Sequence, residues 1–273
     1  MRQVKIFSAA VGKKFGQTIE NFGDNLMADL LRELFSVEPV YVKASQAELI
    51  GVGSILDAYY RRYGRRKFPL LRKRPWRKLH VWGSGFLDSA TPPLWPQRLE
   101  YHAVRGELTK ARIAGGNDVA LGDPAILLPL IWPRNGPAAT KVAIIPHFVT
   151  HRNFVEQYGS ALPPHWRIID LLGEPQAITA EIASAEFVIS SSLHGLIVAD
   201  AYDIPSVWME PTGKIKGDGY KFADYFSFRG SPILGPLSFD EILANFDSVA
   251  NRCEPSVPSA QQLDRLVKAF PFR

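Results

Sequence analysis

The sequence predicts an α/β protein of two Rossmann-like domains facing each other across a cleft. Short apolar runs of strand length alternate with amphipathic stretches, the pattern of a parallel sheet covered by helices. Several runs end in small residues, as at Gly51-Val52-Gly53-Ser54, Gly83-Ser84-Gly85 and Ser190-Ser191-Ser192. A Pro- and Gly-bearing stretch, Pro133-Arg134-Asn135-Gly136-Pro137, separates two such series and reads as a linker. The domains are expected at 1–136 and 137–273, with a basic insertion at 61–78 in the first. A chain of 273 residues is long enough for two domains at roughly 150 residues each.

In chain order, Gln3–Ser8 reads as the first strand. Asn25–Phe35 has helical spacing, and Asp24 suits its N-cap. Pro39–Val42, Leu49–Ile55, Leu79–Trp82, His102–Val104 and Asn117–Leu121 follow as strands, with a helix opening after Arg105-Gly106. In the second half, Lys141–Ile145 is a strand closed by Pro146-His147, and Trp166–Asp170 is another. Ala177–Ser184 is a helix, Glu186–Ser190 a strand, Leu196–Tyr202 a helix and Pro205–Met209 a strand. The closing helix, Gln261–Phe270, is a candidate to pack back on the N-terminal domain.

Composition narrows the function classes. The chain is 46% hydrophobic and 22% charged, which excludes a disordered chain. Its single cysteine, Cys253, excludes a disulfide framework, a multi-cysteine zinc cluster and a thiol-redox pair, and suggests a reducing, cytoplasmic compartment. The first residues are too short and interrupted an apolar run for a signal peptide. The net charge is +5, but residues 61–78 hold ten Lys or Arg and no acid. Outside them 22 basic residues face 27 acidic ones, so one patch sets the sign. Its cations interleave with Tyr63, Phe68, Leu70, Leu71 and Trp76, which suits an anionic membrane surface or a solvated charge run. No nucleic-acid motif accompanies it.

The chemistry-bearing positions lie after strands, where open α/β sheets bind ligands. Ser190–Gly195 takes an apolar strand through three serines, Leu193 and His194 into a helix. Hydroxyls and free N–H groups at a helix start suit an anion, or simply an N-cap. His147 has the same kind of position after another strand, so two histidines converge on one cleft. His147 and His151 are four apart, but no glutamate completes a metal motif and Pro146 disfavours a helix before them. Asn21, Gly23 and Asp24 lie between the first strand and first helix. Ser54 and Ser84 sit in the glycine turns, and neither turn is a full GxGxxG. Arg105 and Asp123 follow strands and suit either a site or an ion pair. Glu210, Lys214, Lys216 and Lys221, with glycines and aromatics between them, suit a lid or a surface loop.

Together these segments carry a likeness. NFGDN at 21–25, GVGSIL at 51–56, VWGSGF at 81–86, VRGELT at 104–109, GDPAILLP at 122–129 and SSSLHGLIVADAYDIPSVWME at 190–210 resemble the polysaccharide pyruvyltransferase family. The resemblance implies a two-domain, GT-B-like enzyme that moves pyruvate from phosphoenolpyruvate onto two hydroxyls of a sugar, giving a cyclic ketal. The acceptor implied is a lipid-linked exopolysaccharide unit, docked on the N-terminal side, with phosphoenolpyruvate on the C-terminal side. Many members carry Arg-Leu-His where this chain has Ser192-Leu193-His194, the serine-rich version being similar to the exopolysaccharide subgroup. Arg105 or Lys221 is then a candidate to replace the missing charge.

His194 matches the family's histidine; ketal formation calls for a general acid, for which His194 is the candidate, and a general base for the acceptor hydroxyl, for which Asp24 is the candidate. Substrate contacts are expected from Asn21, Gly23, Ser54, Ser84, Arg105, His147, Ser190, Ser191, Ser192, Leu193, Glu210 and Lys221. No metal and no cofactor are expected. Two other readings use the same residues: a nucleotide-sugar glycosyltransferase, and a non-catalytic membrane-surface scaffold.

Overall fold

The computed structural model describes residues 1–8, 22–60, 78–90, 99–113 and 118–273. Asn21 and residues 61–77 of the basic stretch lie outside the described residues. In chain order the elements are β1 (Arg2–Ile6), α1 (Phe22–Phe35), β2 (Val37–Tyr41), β3 (Leu49–Ile50), α2 (Asp57–Tyr60), β4 (Leu79–Trp82), β5 (Leu99–Val104), α3 (Glu107–Arg112) and β6 (Ala120–Leu121). After a 3-10 run at Pro124–Leu130 come β7 (Thr140–Ile145), α4 (His151–Tyr158), β8 (Trp166–Ile168), α5 (Pro175–Ala183), β9 (Ala185–Ser190), α6 (Leu193–Ala201) and β10 (Ser206–Met209). The last are α7 (Tyr220–Phe226), β11 (Leu234–Leu237), α8 (Phe239–Ala244), α9 (Phe246–Ala250) and α10 (Ala260–Lys268). The chain divides into two compact units. The first is Met1–Pro124 with Gly217–Phe228 and Ser259–Arg273; the second is Ala125–Lys216 with Arg229–Pro258. Pro133–Pro137 is irregular and exposed.

The first unit is built on a six-stranded sheet in the order β2-β1-β3-β4-β5-β6, every pairing parallel. The chain steps from β1 to β2 on one side and to β3 on the other, so the order reverses between β1 and β3. One sheet face is closed by Ile50, Leu79, Val81, Phe86, Leu99 and Val104. On the other, the Phe35 ring stacks on Phe270 at 3.9 Å, and both meet Trp82 edge-on. The buried Trp82 indole N–H donates to the Leu266 carbonyl at 2.9 Å, which satisfies its one polar group. The closing helix α10 is thus part of this unit's core.

The second unit holds a five-stranded parallel sheet in the order β11-β10-β9-β7-β8. Here the order reverses between β7 and β9. A parallel sheet is covered on both faces, so its central strands read as apolar runs. Accordingly Val142–Ile145 and Phe187–Ser190 are buried throughout. β11 has no such signature: it is an edge strand, Leu-Gly-Pro-Leu, where Gly235 lies so close to β10 that a Cβ would sit 2.2 Å from the Trp208 carbonyl oxygen.

Some expected elements shift. β3 spans only two residues rather than running to Ile55, because the chain turns at Gly51, where a Cβ would sit 2.4 Å from the Met27 sulfur. Helix α1 starts at Phe22, which puts Asp24 inside its first turn rather than at its cap. The segment expected as a lid is, from Tyr220 on, the helix α7 with Phe222, Asp224 and Tyr225 buried. Ahead of it Asp218 accepts hydrogen bonds from the Ser89 N–H and hydroxyl, which lower its carboxyl pKa.

A buried ion pair fixes α6. Arg229 donates from Nε to Asp200 Oδ2 at 2.6 Å and from Nη2 to Oδ1 at 2.7 Å, and from Nη1 to the Ser231 carbonyl at 3.0 Å. Both side chains are at most 1% exposed. Removing one member leaves a buried charge unmatched, which costs about 3–5 kcal/mol, whereas an apolar replacement of both is often nearly neutral. Asp200→Ala is therefore expected to lower unfolding free energy by about that amount, with Asp200→Leu/Arg229→Met less harmful. Denaturant titration checks it; a loss below about 1 kcal/mol for Asp200→Ala would mean the pair is not the anchor.

Candidate active site

In the second unit the order reversal brings two strand ends side by side. Ile145, the last residue of β7, pairs with Ser190, the last of β9. The loops that leave them are stitched together. The Ser191 N–H donates to the Ile145 carbonyl at 3.1 Å, and the His147 N–H donates to the Ser191 hydroxyl at 2.9 Å. The Ser190 hydroxyl accepts from the Ser192 N–H at 3.0 Å and faces the carbonyls of Ile145 and Ser192 at 3.1 and 2.8 Å. Ser190 and Ser191 are buried and spend their hydroxyls on backbone. They shape the corner rather than present themselves.

Helix α6 opens from this corner. Ser192 has extended backbone and makes no side-chain cap bond, so its hydroxyl is not used on the helix. The first-turn N–H groups of Leu193, His194 and Gly195 carry the positive end of the helix dipole. Gly195 is required by proximity: a Cβ there would sit 2.3 Å from Ser190 Oγ and 3.1 Å from the Ile145 side chain. Half-buried His194 is the second residue of α6. His147 is also half-buried, and its Nδ1 accepts from the Val149 N–H at 3.3 Å, which places the neutral ring's proton on Nε2. Its carbonyl takes the Thr150 N–H at 2.8 Å, so this turn is fixed by its own backbone. The loop after β10 joins the same edge: the Thr212 hydroxyl donates to the Thr150 carbonyl at 3.4 Å, with exposed Glu210 just before it. His147, the three serines, Leu193 and His194 therefore gather at adjacent strand ends, and Glu210 directly follows β10, the strand beside β9.

In the first unit the candidates Ser54, Ser84 and Arg105 also come together, as a closed internal network. The Ser84 hydroxyl donates to the Gly53 carbonyl at 2.8 Å, and Asp123 accepts from the Gly53 N–H at 3.3 Å. Arg105 is wholly buried. Its Nε meets Asp224 Oδ2 at 2.9 Å, its Nη2 donates to the Phe86 carbonyl at 2.6 Å and its Nη1 to the Ser54 hydroxyl. Asp224 also takes the Thr109 N–H and hydroxyl, each at 2.7 Å. Arg105 thus joins β5 to α7 with its charge matched. Gly23 is buried in α1, and Lys221 lies half-buried on α7 with its ammonium 5.1 Å from the Phe222 ring centre.

One grouping is absent from the sequence reading. His80 on β4 and Glu100 and His102 on β5 share a sheet face, with His80 Nδ1 2.9 Å from His102 Nε2. Burial pushes both imidazole pKa values down. A hydrogen bond from Lys78, Nζ 3.0 Å from Glu100 Oε2, pulls the carboxyl down. The sequence signal is slight: Glu-x-His on one strand and a lone His twenty residues earlier, which only the β4–β5 register unites. Cys253 offers no thiolate at neutral pH, since burial raises its pKa to about 11.

Fold and site define an α/β protein of two parallel-sheet units with a serine–histidine corner at a point of strand-order reversal. The polysaccharide pyruvyl transferase family model matches residues 21–212. The chain belongs to that family. It is 27% identical over 228 residues to the succinoglycan biosynthesis protein ExoV of Rhizobium meliloti (strain 1021), covering 77% of this chain and 62% of that protein. It is 34% identical over 139 residues to an uncharacterized protein of Acanthamoeba polyphaga mimivirus, covering 48% of each. The chain thus spans between about half and three fifths of the length of these curated relatives. Among solved structures, Methanocaldococcus jannaschii UDP-GlcNAc 2-epimerase with UDP-GlcNAc and UDP aligns over 98% of this chain and 99% of its own, at a TM-score of 0.47 and 10% identity.

The close approach at Gly195 gives a direct test. Gly195→Ala must push α6 away from β7 and β9 or break the Ser192–Ser190 bond, at about 1–3 kcal/mol. The expected result is a lower unfolding free energy by denaturant titration; an unchanged midpoint would show that the corner tolerates the extra carbon.

Proposed function

We propose that the chain moves pyruvate from phosphoenolpyruvate onto two hydroxyls of a sugar in a lipid-linked exopolysaccharide repeat unit, closing a cyclic ketal. Membership of the pyruvyl transferase family supports the transferred group. The likeness to a succinoglycan biosynthesis protein supports a polysaccharide acceptor. The observation that carries the proposal is the corner where His147, Ser191 and the first turn of α6 meet at paired strand ends.

The donor is a three-carbon enol bearing a carboxylate and a phosphate. Anionic oxygens call for N–H donors, which the first turn of α6 and the His147 Nε2–H offer. The enol carbon calls for a proton. His194 is assigned as the acid that protonates the methylene carbon, since imidazole titrates near neutral pH. The neighbouring carbon then gains positive character, and a sugar hydroxyl oxygen bonds to it. The carbon–oxygen bond to phosphate breaks, and the second hydroxyl closes the ring. Of the two hydroxyl protons released, one balances that delivered to the new methyl group and the other leaves with phosphate. Asp24, in the first turn of α1, is assigned as the base for the attacking hydroxyl. Arg105 is assigned a positioning role, because its guanidinium is buried against Asp224.

His194→Ala and Asp24→Asn are expected to cut phosphate release from phosphoenolpyruvate in the presence of acceptor by about 10²–10⁴-fold each, with unchanged circular dichroism. Turnover within a few-fold of wild type in either variant removes that residue from the mechanism. Mass spectrometry of model glycosides for an added pyruvate tests the reaction itself. No helix of the described residues is long and apolar enough to cross a membrane. The basic stretch Arg61–Lys78 is assigned to an anionic membrane surface, with each cation contributing about 1 kcal/mol near the lipid. Flotation with anionic vesicles is expected to hold the protein at low salt and release it at high salt; equal flotation with neutral vesicles contradicts the assignment.

A further inference from the structure

We propose that His80, Glu100 and His102 form a binding site for a divalent transition-metal ion, Zn²⁺ by preference, on one face of the first unit's sheet. β4 and β5 are adjacent, with His80 paired directly with Glu100. Glu100 and His102 are two residues apart on a strand, so they project to one face. The strands therefore place two imidazoles and a carboxylate side by side, and their ligand atoms lie within 4.8 Å of one another. These are the nitrogen and oxygen donors that zinc takes.

The distances are near what an ion requires. His80 Nδ1 is 2.9 Å from His102 Nε2 and 4.0 Å from Glu100 Oε2. Zinc bonds of about 2.0–2.2 Å at tetrahedral angles set ligand atoms roughly 3.4 Å apart. The His80–His102 spacing must open by about 0.5 Å and the His80–Glu100 spacing close by about 0.6 Å, and the third, at most 4.8 Å, must close by up to about 1.4 Å, which side-chain rotation supplies. The two imidazoles now share a proton between facing nitrogens, and the ion would take its place. Lys78 competes for Glu100, but it is 64% exposed on a flexible stem and is readily displaced. The edge-on ring of Phe272, 4.9 Å from His80, braces the first ligand. Three protein ligands leave a fourth position for water, the pattern of an exchangeable site.

His80 and Glu100 are the second residues of their strands, whereas the turns bearing Ser84 and Arg105 leave the carboxyl ends. The ion would clamp β4 to β5 and raise stability with the logarithm of its concentration over its dissociation constant.

The test uses the full chain, stripped with a chelator and titrated with Zn²⁺ by calorimetry and with Co²⁺ by visible absorbance. The expected result is one equivalent bound, with a melting temperature that rises on saturation. Glu100→Gln and His102→Gln are each expected to weaken binding at least tenfold, and His151→Gln to leave it unchanged. Lys78→Ala is expected to tighten it several-fold, because the competing cation is gone. Absence of saturable binding, binding unaltered by both ligand variants, loss in His151→Gln or weaker binding in Lys78→Ala would each overturn the assignment. Where His102→Gln fails to fold by circular dichroism, Glu100→Gln decides alone.

Discussion

Both sheets are wholly parallel, and that constraint governs where polar chemistry can stand. A parallel sheet is covered on both faces, so its strands carry apolar side chains both ways. Polar groups are pressed to the strand ends, where backbone N–H and carbonyl groups also need partners. In the second unit the two strands flanking the order reversal end together at Ile145 and Ser190. The serine hydroxyls answer the backbone demand there, and the imidazoles stand beside them. The corner is thus first a solution to a hydrogen-bonding problem and only then a place to hold a ligand. The half-buried His80, Glu100 and His102 depart from the rule by placing polar groups on a sheet face, which is why they call for a separate explanation.

The second organising element is the buried ion pair, one tying each unit together across long stretches of sequence. Arg105 and Asp224 are 119 residues apart, yet their bond attaches α7 to β5. Gly106 allows the approach, since a Cβ there would sit 1.8 Å from the Asp224 carbonyl oxygen. Pairs this deep contribute little net stability, because desolvation offsets much of their attraction. Loss of one partner alone strands the other's charge in the core, so each pair holds its two segments together.

Strand positions were largely legible because apolar runs between small-residue turns are a local signal. Leu79–Trp82 was read with its observed limits, and β7 and β9 each begin one residue earlier than expected. What depends on distant partners was not legible. β11 carries Gly and Pro, which argue against a strand, and it forms because an edge position tolerates them. Nothing local marks α7 as packed, since its burial depends on a carboxylate that must meet an arginine far upstream. In the site, the serine–histidine corner was visible as a strand running into a helix. The role of each serine was not, because hydroxyls that answer backbone groups look the same in sequence as hydroxyls that await a ligand. The His80 grouping was hidden for the same reason as α7, its members being united by strand register alone.

On the proposed reading the corner holds an enol-phosphate. Such a donor brings a carboxylate and a phosphate, and the natural cation for both is a guanidinium with its five N–H donors. Position 192 offers instead one serine hydroxyl. Arg105 and Arg229 are each buried against a carboxylate, and moving either guanidinium out would strand Asp224 or Asp200. On the proposed reading, recognition in the second unit would fall to first-turn N–H groups and two imidazoles. Backbone donors are fixed in place and need no reorganisation as charge develops, which favours the transition state over the ground state. Under the proposed mechanism His194 adds positive charge only when protonated, so the group assigned to deliver the proton also attracts the anion. In that mechanism an arginine at 192 would separate the two duties, whereas Ser192 would leave both to His194.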